Sequence, residues 1–236
     1  MRSVICDSRI SPKAERRLRI LGFEPILLPA SSNLGEAVRS HPDTLICRIG
    51  DTLITSADYC EEASYIFSDI RERAPHIKIK VASEELSAKY PGDCKLNALI
   101  SNQRIFLKKD SISDAVISEA LAHGLKVISV KQGYPACSAL SLGDAIITAD
   151  EGLIRAAENA ETKAYRIECG HISLPPHEYG FIGGATGVFE KRIYFHGDYK
   201  LHPSWKTIEE AADERGFELI SLSDEPLSDI GGLIFL

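Results

Sequence analysis

Apolar residues in this chain come in short β-branched runs, separated either by glycine-rich turns or by segments whose apolar positions fall three and four apart. One stretch, Gly50-Asp51-Thr52-Leu53-Ile54-Thr55-Ser56-Ala57-Asp58, is mirrored by Gly143-Asp144-Ala145-Ile146-Ile147-Thr148-Ala149-Asp150. Both read as a tight turn, a strand, and a Ser or Asp that starts a helix. A further apolar run precedes each, at 44–49 and 137–142, so each unit is expected to hold a hairpin. The pattern predicts a recurring order of helix, strand, loop, strand, turn, strand. Strands that follow a helix are expected at 25–28, 77–82, 125–130, 164–168 and 217–222. Strands that lead into a helix are expected at 52–56, 104–108, 145–149 and 192–196, and the missing fifth is Val4-Ile5-Cys6 at the other end of the chain. Helices are expected over 11–21, over 113–123 ending at Gly124, and around 207–212 before Gly216. The first strand would then pair with the last, within 231–236, and close a ring that leaves no open sheet edge at the seam.

Composition narrows the function classes. With 236 residues, 44% hydrophobic and 26% charged, the chain is an ordinary globular one, and no linker divides it, so residues 1–236 are read as a single domain. Acids outnumber Lys and Arg by 34 to 27, with a net charge of −7 and no basic run, which argues against a nucleic-acid partner. No apolar stretch reaches the ~18 residues of a membrane span, and the start MRSVICDSR lacks the apolar core of a signal peptide. A cytoplasmic protein without a membrane partner is expected. Six cysteines without a CxxC pair read as reduced thiols.

A closed α/β ring of five pseudo-repeats, roughly 47 residues apiece, resembles the pentein fold, a five-bladed α/β propeller. That fold is shared by amidinotransferases, arginine deiminases and dimethylarginine dimethylaminohydrolases, and by the non-catalytic translation initiation factor six. The stretches Tyr90-Pro91-Gly92-Asp93 with Asn97, Gln132-Gly133-Tyr134-Pro135-Ala136-Cys137-Ser138, and Ile147-Thr148-Ala149-Asp150 are similar to an uncharacterised bacterial family of amidinotransferase-like fold. For guanidine-modifying members the resemblance implies a Cys nucleophile in the last unit, a His with an acid in the middle, and carboxylates that hold the guanidinium. This chain departs from that pattern. Its last cysteine is Cys169, and the fifth unit reads Ser228-Asp229-Ile230-Gly231-Gly232, with a double glycine and no thiol after it. Where a His is implied, the chain offers Gln132, Tyr134 and Cys137.

The candidate residues are those that the topology would carry to the centre. Cys137 follows a Pro-fixed corner and is the candidate nucleophile, against the plainer reading of a buried, inert thiol. His171 is the candidate acid–base; the Cys169, His171 and His177 group fits no established zinc spacing, so neither a metal nor a cofactor is assigned. Tyr90 and Tyr134 could stack on a planar cation or simply plug gaps between units. Asp93 and Asp229 are placed to pair with its charge, and Asn97 and Gln132 to orient it. Asp7, Asp58, Asp110, Asp150 and Asp198 recur at strand ends and read as N-caps or first-turn acids of the helices that follow. The glycines of 180–187 are followed by a hairpin pattern instead of a helix, so they read as sites of close backbone approach and not as a phosphate loop. Two functions follow: a central site for a cationic amidine or amino-acid-like ligand, with Cys-dependent C–N hydrolase or transferase chemistry, or a non-catalytic module for a macromolecular partner. Composition leaves the oligomeric state open.

Overall fold

Each unit is organised by one central strand, whose side chains are buried, and by a helix that returns the chain to run parallel beside it. A computed structural model describes residues 2–236. The first unit contains β1 (Arg2–Asp7), α1 (Pro12–Ile20) and β2 (Phe23–Leu28). The second contains a helical turn α2 (Pro42–Leu45), the hairpin β3 (Ile46–Ile49) and β4 (Thr52–Ser56), helices α3 (Ala57–Glu62) and α4 (Ser64–Arg73), and β5 (Lys78–Ala82). The third contains β6 (Leu99–Ser101), β7 (Arg104–Leu107), α5 (Asp114–Ala122) and β8 (Lys126–Ser129). In the fourth, a helical turn α6 (Pro135–Ser138) leads to β9 (Ala139–Ser141), β10 (Ala145–Thr148), α7 (Glu151–Asn159) and β11 (Lys163–Arg166). The fifth has β12 (Thr186–Phe189), β13 (Arg192–Phe195), a 3-10 turn at Tyr199–Leu201, α8 (Trp205–Asp213) and β14 (Glu218–Ser221), after which β15 (Ile234–Phe235) returns to the first unit.

The result is five three-stranded sheets of one design. In each, the central strand (β1, β4, β7, β10 or β13) pairs antiparallel with β15, β3, β6, β9 or β12 and parallel with β2, β5, β8, β11 or β14. The expected pairing of the chain's ends is present, Val4 opposite Phe235 and Ile5 opposite Ile234, but it completes one small sheet, and no sheet closes on itself. Neighbouring sheets meet in sequence order: α2 lies against β1, α5 against β3 and β5, β6 against β9, β9 against β12, and β12 against β15. Aromatic rings seal the seam between the last sheet and the first, with Phe23 edge-on to Phe189, Tyr194 and Phe235 at centroid distances of 5.5, 5.5 and 4.8 Å. Among the described residues no helix is long and apolar enough to cross a membrane.

Two expectations need correction. The apolar runs at 44–49 and 137–142 are not strands throughout: Pro42 and Pro135 open short helical turns, and pairing starts only at Ile46 and Ala139. Proline's fixed φ favours the first helical position, and that turn places Cys137 on α6 instead of β9. Of the recurring aspartates, Asp58, Asp150 and Asp198 are caps or first-turn acids as expected, and Asp110 and Asp7 are not. Asp150 caps α7 by accepting from the Leu153 N–H at 2.7 Å, and Asp198 caps the 3-10 turn. Helix α5 is capped by Ser113, not by Asp110, and Asp58 lies inside the first turn of α3. Helix α1 is capped by Ser11, which leaves Asp7 buried for another purpose.

Candidate functional site

The loops that feed the hairpins converge and bind one another in turn. The Asp43 N–H donates to the Gly231 carbonyl at 3.0 Å, and the Asn97 side-chain amide donates to the Asp43 carbonyl at 3.0 Å. Asn97 Oδ1 accepts from the Ala136 N–H at 2.8 Å, and the Gly184 N–H donates to the Cys137 carbonyl at 3.0 Å. The Gly184 carbonyl in turn accepts from the N–H groups of Ile230 and Gly232 at 2.9 and 2.7 Å. Five loops, one from each unit, are thereby linked head to tail through groups that burial would otherwise leave unpaired. Close approach explains the glycines here. A Cβ on Gly183 would overlap the carbonyl oxygens of Ala136, Cys137 and Ala139, and one on Gly184 would overlap the Asp229 carboxylate.

Above these loops lies a cavity of about 690 Å³. Its lining includes Glu36, Asp93, Glu178 and Asp229, the apolar Val38, Leu174 and Phe181, and no Lys or Arg. The His41 imidazole, 1% exposed, sits between Asp7 and Asp229: Nε2 is 3.8 Å from Asp7 Oδ2 and Nδ1 is 3.8 Å from Asp229 Oδ1. Neither ring nitrogen has a hydrogen-bond partner. Burial lowers the His41 pKa to about 4, so the ring is neutral at pH 7. Asp7, with no exposed side-chain surface, is held by Arg9, whose Nε and Nη2 reach its two carboxylate oxygens at 3.0 and 2.6 Å.

Asp229 and Asp43 are both held above the usual carboxylate range. Burial, and then the charge of Asp43, pushes Asp229 up to about 7 although the Phe181 and Gly231 N–H groups donate to it at 2.9 and 3.0 Å. Burial likewise raises Asp43 to about 6. Cys137 lies beside them, 4% exposed, with Asn97 Nδ2 donating to its sulfur at 3.1 Å. Burial first, then the Asp43 and Asp229 carboxylates, hold its pKa well above the ordinary thiol value, so the unliganded protein carries a thiol and not a thiolate.

Of the residues singled out from sequence, the structure brings Cys137, Asp93, Gln132, Tyr134 and Asp229 to the cavity wall. Asn97 stands behind Cys137, fully buried. The Tyr134 hydroxyl donates to Asp93 Oδ2 at 2.6 Å, and burial together with Asp93 raises its pKa. Gln132 works on the loop itself, donating to Asp150 at 3.0 Å and accepting from the Tyr134 N–H. Tyr90 packs its ring 6.0 Å from that of Tyr134 and does not line the cavity. His171 is not brought in. It lies on the surface, 3.7 Å from Glu168 and 5.6 Å from the His202 ring, while its neighbours Ile172 and Leu174 are buried. His41, Asp43, Asp7 and Arg9 were not singled out for the site. The available signal was His41-Pro42-Asp43, which holds the same loop position as Tyr134-Pro135-Ala136. Among the described residues no three His, Cys, Asp or Glu are arranged to hold a metal ion.

In three dimensions the chain is similar to a dimethylarginine dimethylaminohydrolase of Pseudomonas aeruginosa, solved as a cysteine-to-serine variant complexed with citrulline (TM-score 0.57, 11% identity, 94% of this chain and 92% of that one). It is also similar to an amidinotransferase of saxitoxin biosynthesis from Microseira wollei (TM-score 0.53, 12% identity, 97% and 89%). A third similar structure is the product-bound N-terminal domain of a cyanobacterial arginine dihydrolase (TM-score 0.51, 12% identity, 96% and 90%). At such identities the likeness is one of architecture: the protein has the pentein fold. The model of a family of unknown function (DUF6873) matches residues 5–234, and the chain belongs to that family. No protein of curated function matches it in sequence.

Proposed function

We propose that the cavity binds a small cationic ligand of the amidine class and that the Cys137 thiol is the group set to react with it. The observation that carries this reading is the wall of the cavity, which holds four carboxylates and no Lys or Arg. Inside a poorly screened pocket such a wall attracts cations and repels anions. The cyclic order of contacts supports a five-bladed ring with this cavity at its centre. The chain's non-catalytic alternative, a scaffold for a macromolecule, calls for a centre plugged by side chains, and the open volume favours the small molecule instead.

The chemistry follows from the charges. A bound cation offsets Asp43 and Asp229, the two charges that together with burial keep Cys137 protonated. Asp43, with a pKa of about 6, then accepts the thiol proton. The sulfur bonds to the amidine carbon, the C–N bond breaks, and the amine leaves with that proton. Water attacks the resulting S–C adduct, which releases the product and restores the thiol. Calorimetric titration with ethylguanidinium and with acetate tests the binding step. Saturable binding of the cation alone, weakened about tenfold or more by Asp229→Asn, is expected; acetate binding with no response to the cation would overturn the reading. Ammonia release from amidines, abolished by Cys137→Ala, tests the reaction.

A further inference from the structure

We propose that the groove between β8 and α7 docks an extended acidic segment of a partner protein, which adds as a fourth strand to the free edge of β8. The groove measures about 850 Å³ and shares only Gln132 with the cavity, so what binds there is independent of the amidine reading. The junctions between units differ in one respect. Where α5 covers β5, Lys80 of the strand is bound by Glu119 of the helix at 3.0 Å, and where α8 covers β11, Lys163 is bound by Glu214 at 2.7 Å. At the seam Lys13 of α1 pairs with Asp224 and Glu225, just past β14, at 2.8 and 3.2 Å. Beside α7 the strand's half of such a pair is present: Lys126 stands opposite the first residue of β7, as Lys163 stands opposite the first residue of β10. The helix's half is missing. Glu119 is the sixth residue of α5 and Ala156 the sixth of α7, while Glu214 directly follows α8 and Ala160 directly follows α7. Both alanines line the groove, which is open where the other junctions hold a carboxylate.

The charges left over select the occupant. Lys126, Lys131 and Arg155 are on the wall; among the described residues the two lysines make no ion pair, and Arg155 is 3.9 Å from Glu151, whose carboxylate is already bound by Arg166. Asp150, the one acid on the wall, is committed to the Leu153 N–H and the Gln132 amide. The groove thus offers three cations to carboxylates from outside, over apolar surface from Ile128 and Val130. Its backbone suits a strand. β8 ends the order β6, β7, β8, so one side of it pairs with no strand. The Lys126 and Val130 N–H groups donate inward to the Gln103 and Leu107 carbonyls at 3.0 and 2.9 Å. Parallel strands alternate the direction of these groups, so Val127 and Ser129 turn their N–H and C=O to the free side, where an added strand finds its partners. A second copy of the chain fits poorly, because antiparallel pairing of β8 with β8 sets the lysines of one copy against those of the other.

Fluorescence anisotropy on the full chain at low ionic strength, with labelled heptapeptides of alternating Glu and Val or alternating Gln and Val, tests the docking. The acidic peptide should bind saturably and about tenfold or more tighter than the neutral one. Lys126→Glu together with Lys131→Glu should erase that preference. Ala156→Glu, which returns the acid that other junctions have, should weaken the acidic peptide about tenfold while raising Tm. If either variant does not fold, the ranking of the two peptides on the natural protein still decides. Of two acidic peptides methylated at alternate backbone nitrogens, in the two possible registers, one should lose binding and the other keep it; equal binding of both leaves charge attraction alone and overturns strand addition. Equal binding of the acidic and neutral peptides, or acidic binding that ignores all three substitutions, overturns the site. A dimer in light scattering that Lys126→Glu dissociates would give the edge to a second copy and overturn the acidic partner.

Discussion

The Asn97 amide nitrogen lies 3.1 Å from the Cys137 sulfur and donates to it, and this is the one hydrogen bond on the thiol that favours its ionised form. The same nitrogen donates to the Asp43 carbonyl, while the Asn97 oxygen accepts from the Ala136 N–H. One fully buried side chain thus joins three units and holds the candidate nucleophile in place.

Replacing Asn97 with Ala leaves a buried N–H and a buried carbonyl unpaired. We expect a loss of about 2–3 kcal/mol in denaturant unfolding. The pH profile of Cys137 alkylation by iodoacetamide, read by peptide mass spectrometry with exposed Cys169 as the internal reference, should move to higher pH. In the natural protein Cys137 should already react far more slowly than Cys169 at pH 7.5, given the direction of its shift. An unchanged profile in the variant would detach Asn97 from the thiol.

Asp229 carries a stability cost with a definite sign. Its pKa rises from 3.8 to about 7 on folding, so between those values the folded chain binds more protons than the unfolded one. Stability from this group is therefore highest below pH 4 and is lost as pH rises to 7. His41, lowered to about 4, runs the other way, and is common to both proteins compared. In Asp229→Asn the amide nitrogen cannot accept, so one of the Phe181 and Gly231 N–H groups is stranded and the variant should be the less stable near pH 4; relative to the natural protein it should gain on the order of 2 kcal/mol between pH 4 and pH 8, or roughly 4–8 °C in Tm for a chain of this size. Melting curves at the two pH values check it. The gain would mark Asp229 as kept for binding at the expense of stability.

Much of the architecture was legible because strands of alternating burial and their turns leave local marks. The central strands at 52–56 and 145–149 match β4 and β10 closely. Where the turn residues changed, so did the turn: the second hairpin has positive φ at Gly50 alone, at 57°, and the third at both Asn102 and Gln103, at 50° and 55°. The site was legible in part. Tyr134, Cys137, Asp93 and Asp229 stood beside prolines and glycines whose backbone role could be reasoned out. His41 and Asp43 flank Pro42 in the same way, but an unpaired buried His is written in no local pattern; it is made by Asp7 and Asp229 arriving from opposite ends of the chain. His171 shows the converse, a residue with the right chemistry whose side chain lies on the surface although Ile172 and Leu174 beside it are buried.

The central glycines differ in what they tolerate. Gly184→Ala places a methyl group on the Asp229 carboxylate, and Gly183→Ala places one against three backbone carbonyls. Each should destabilise by about 2–3 kcal/mol or more, the backbone clash being the harder to relieve. Gly35, on the cavity rim, has no heavy atom within 4 Å of the position a Cβ would take and no positive φ, so Gly35→Ala should stay within about 0.5 kcal/mol of the natural protein. Equal effects at Gly35 and Gly184 in urea melts would argue against close packing at the centre.

Arg9 ties the charge cluster to the cavity rim. Its guanidinium neutralises Asp7 and also donates to the carbonyls of Glu36 and Ala37 at 3.0 and 2.9 Å, so one side chain fixes both a buried carboxylate and the loop that lines the cavity. Arg9→Met strands the Asp7 charge and should cost about 3 kcal/mol. Asp7→Asn in the same chain removes the stranded charge and should recover most of that loss, giving a large coupling energy in a double-mutant cycle. Binding of ethylguanidinium should separate the two roles of Arg9. The double variant regains stability but still lacks the two bonds to the rim, so its affinity should remain below that of the natural protein. Recovery of stability and affinity together would assign Arg9 to charge neutralisation alone.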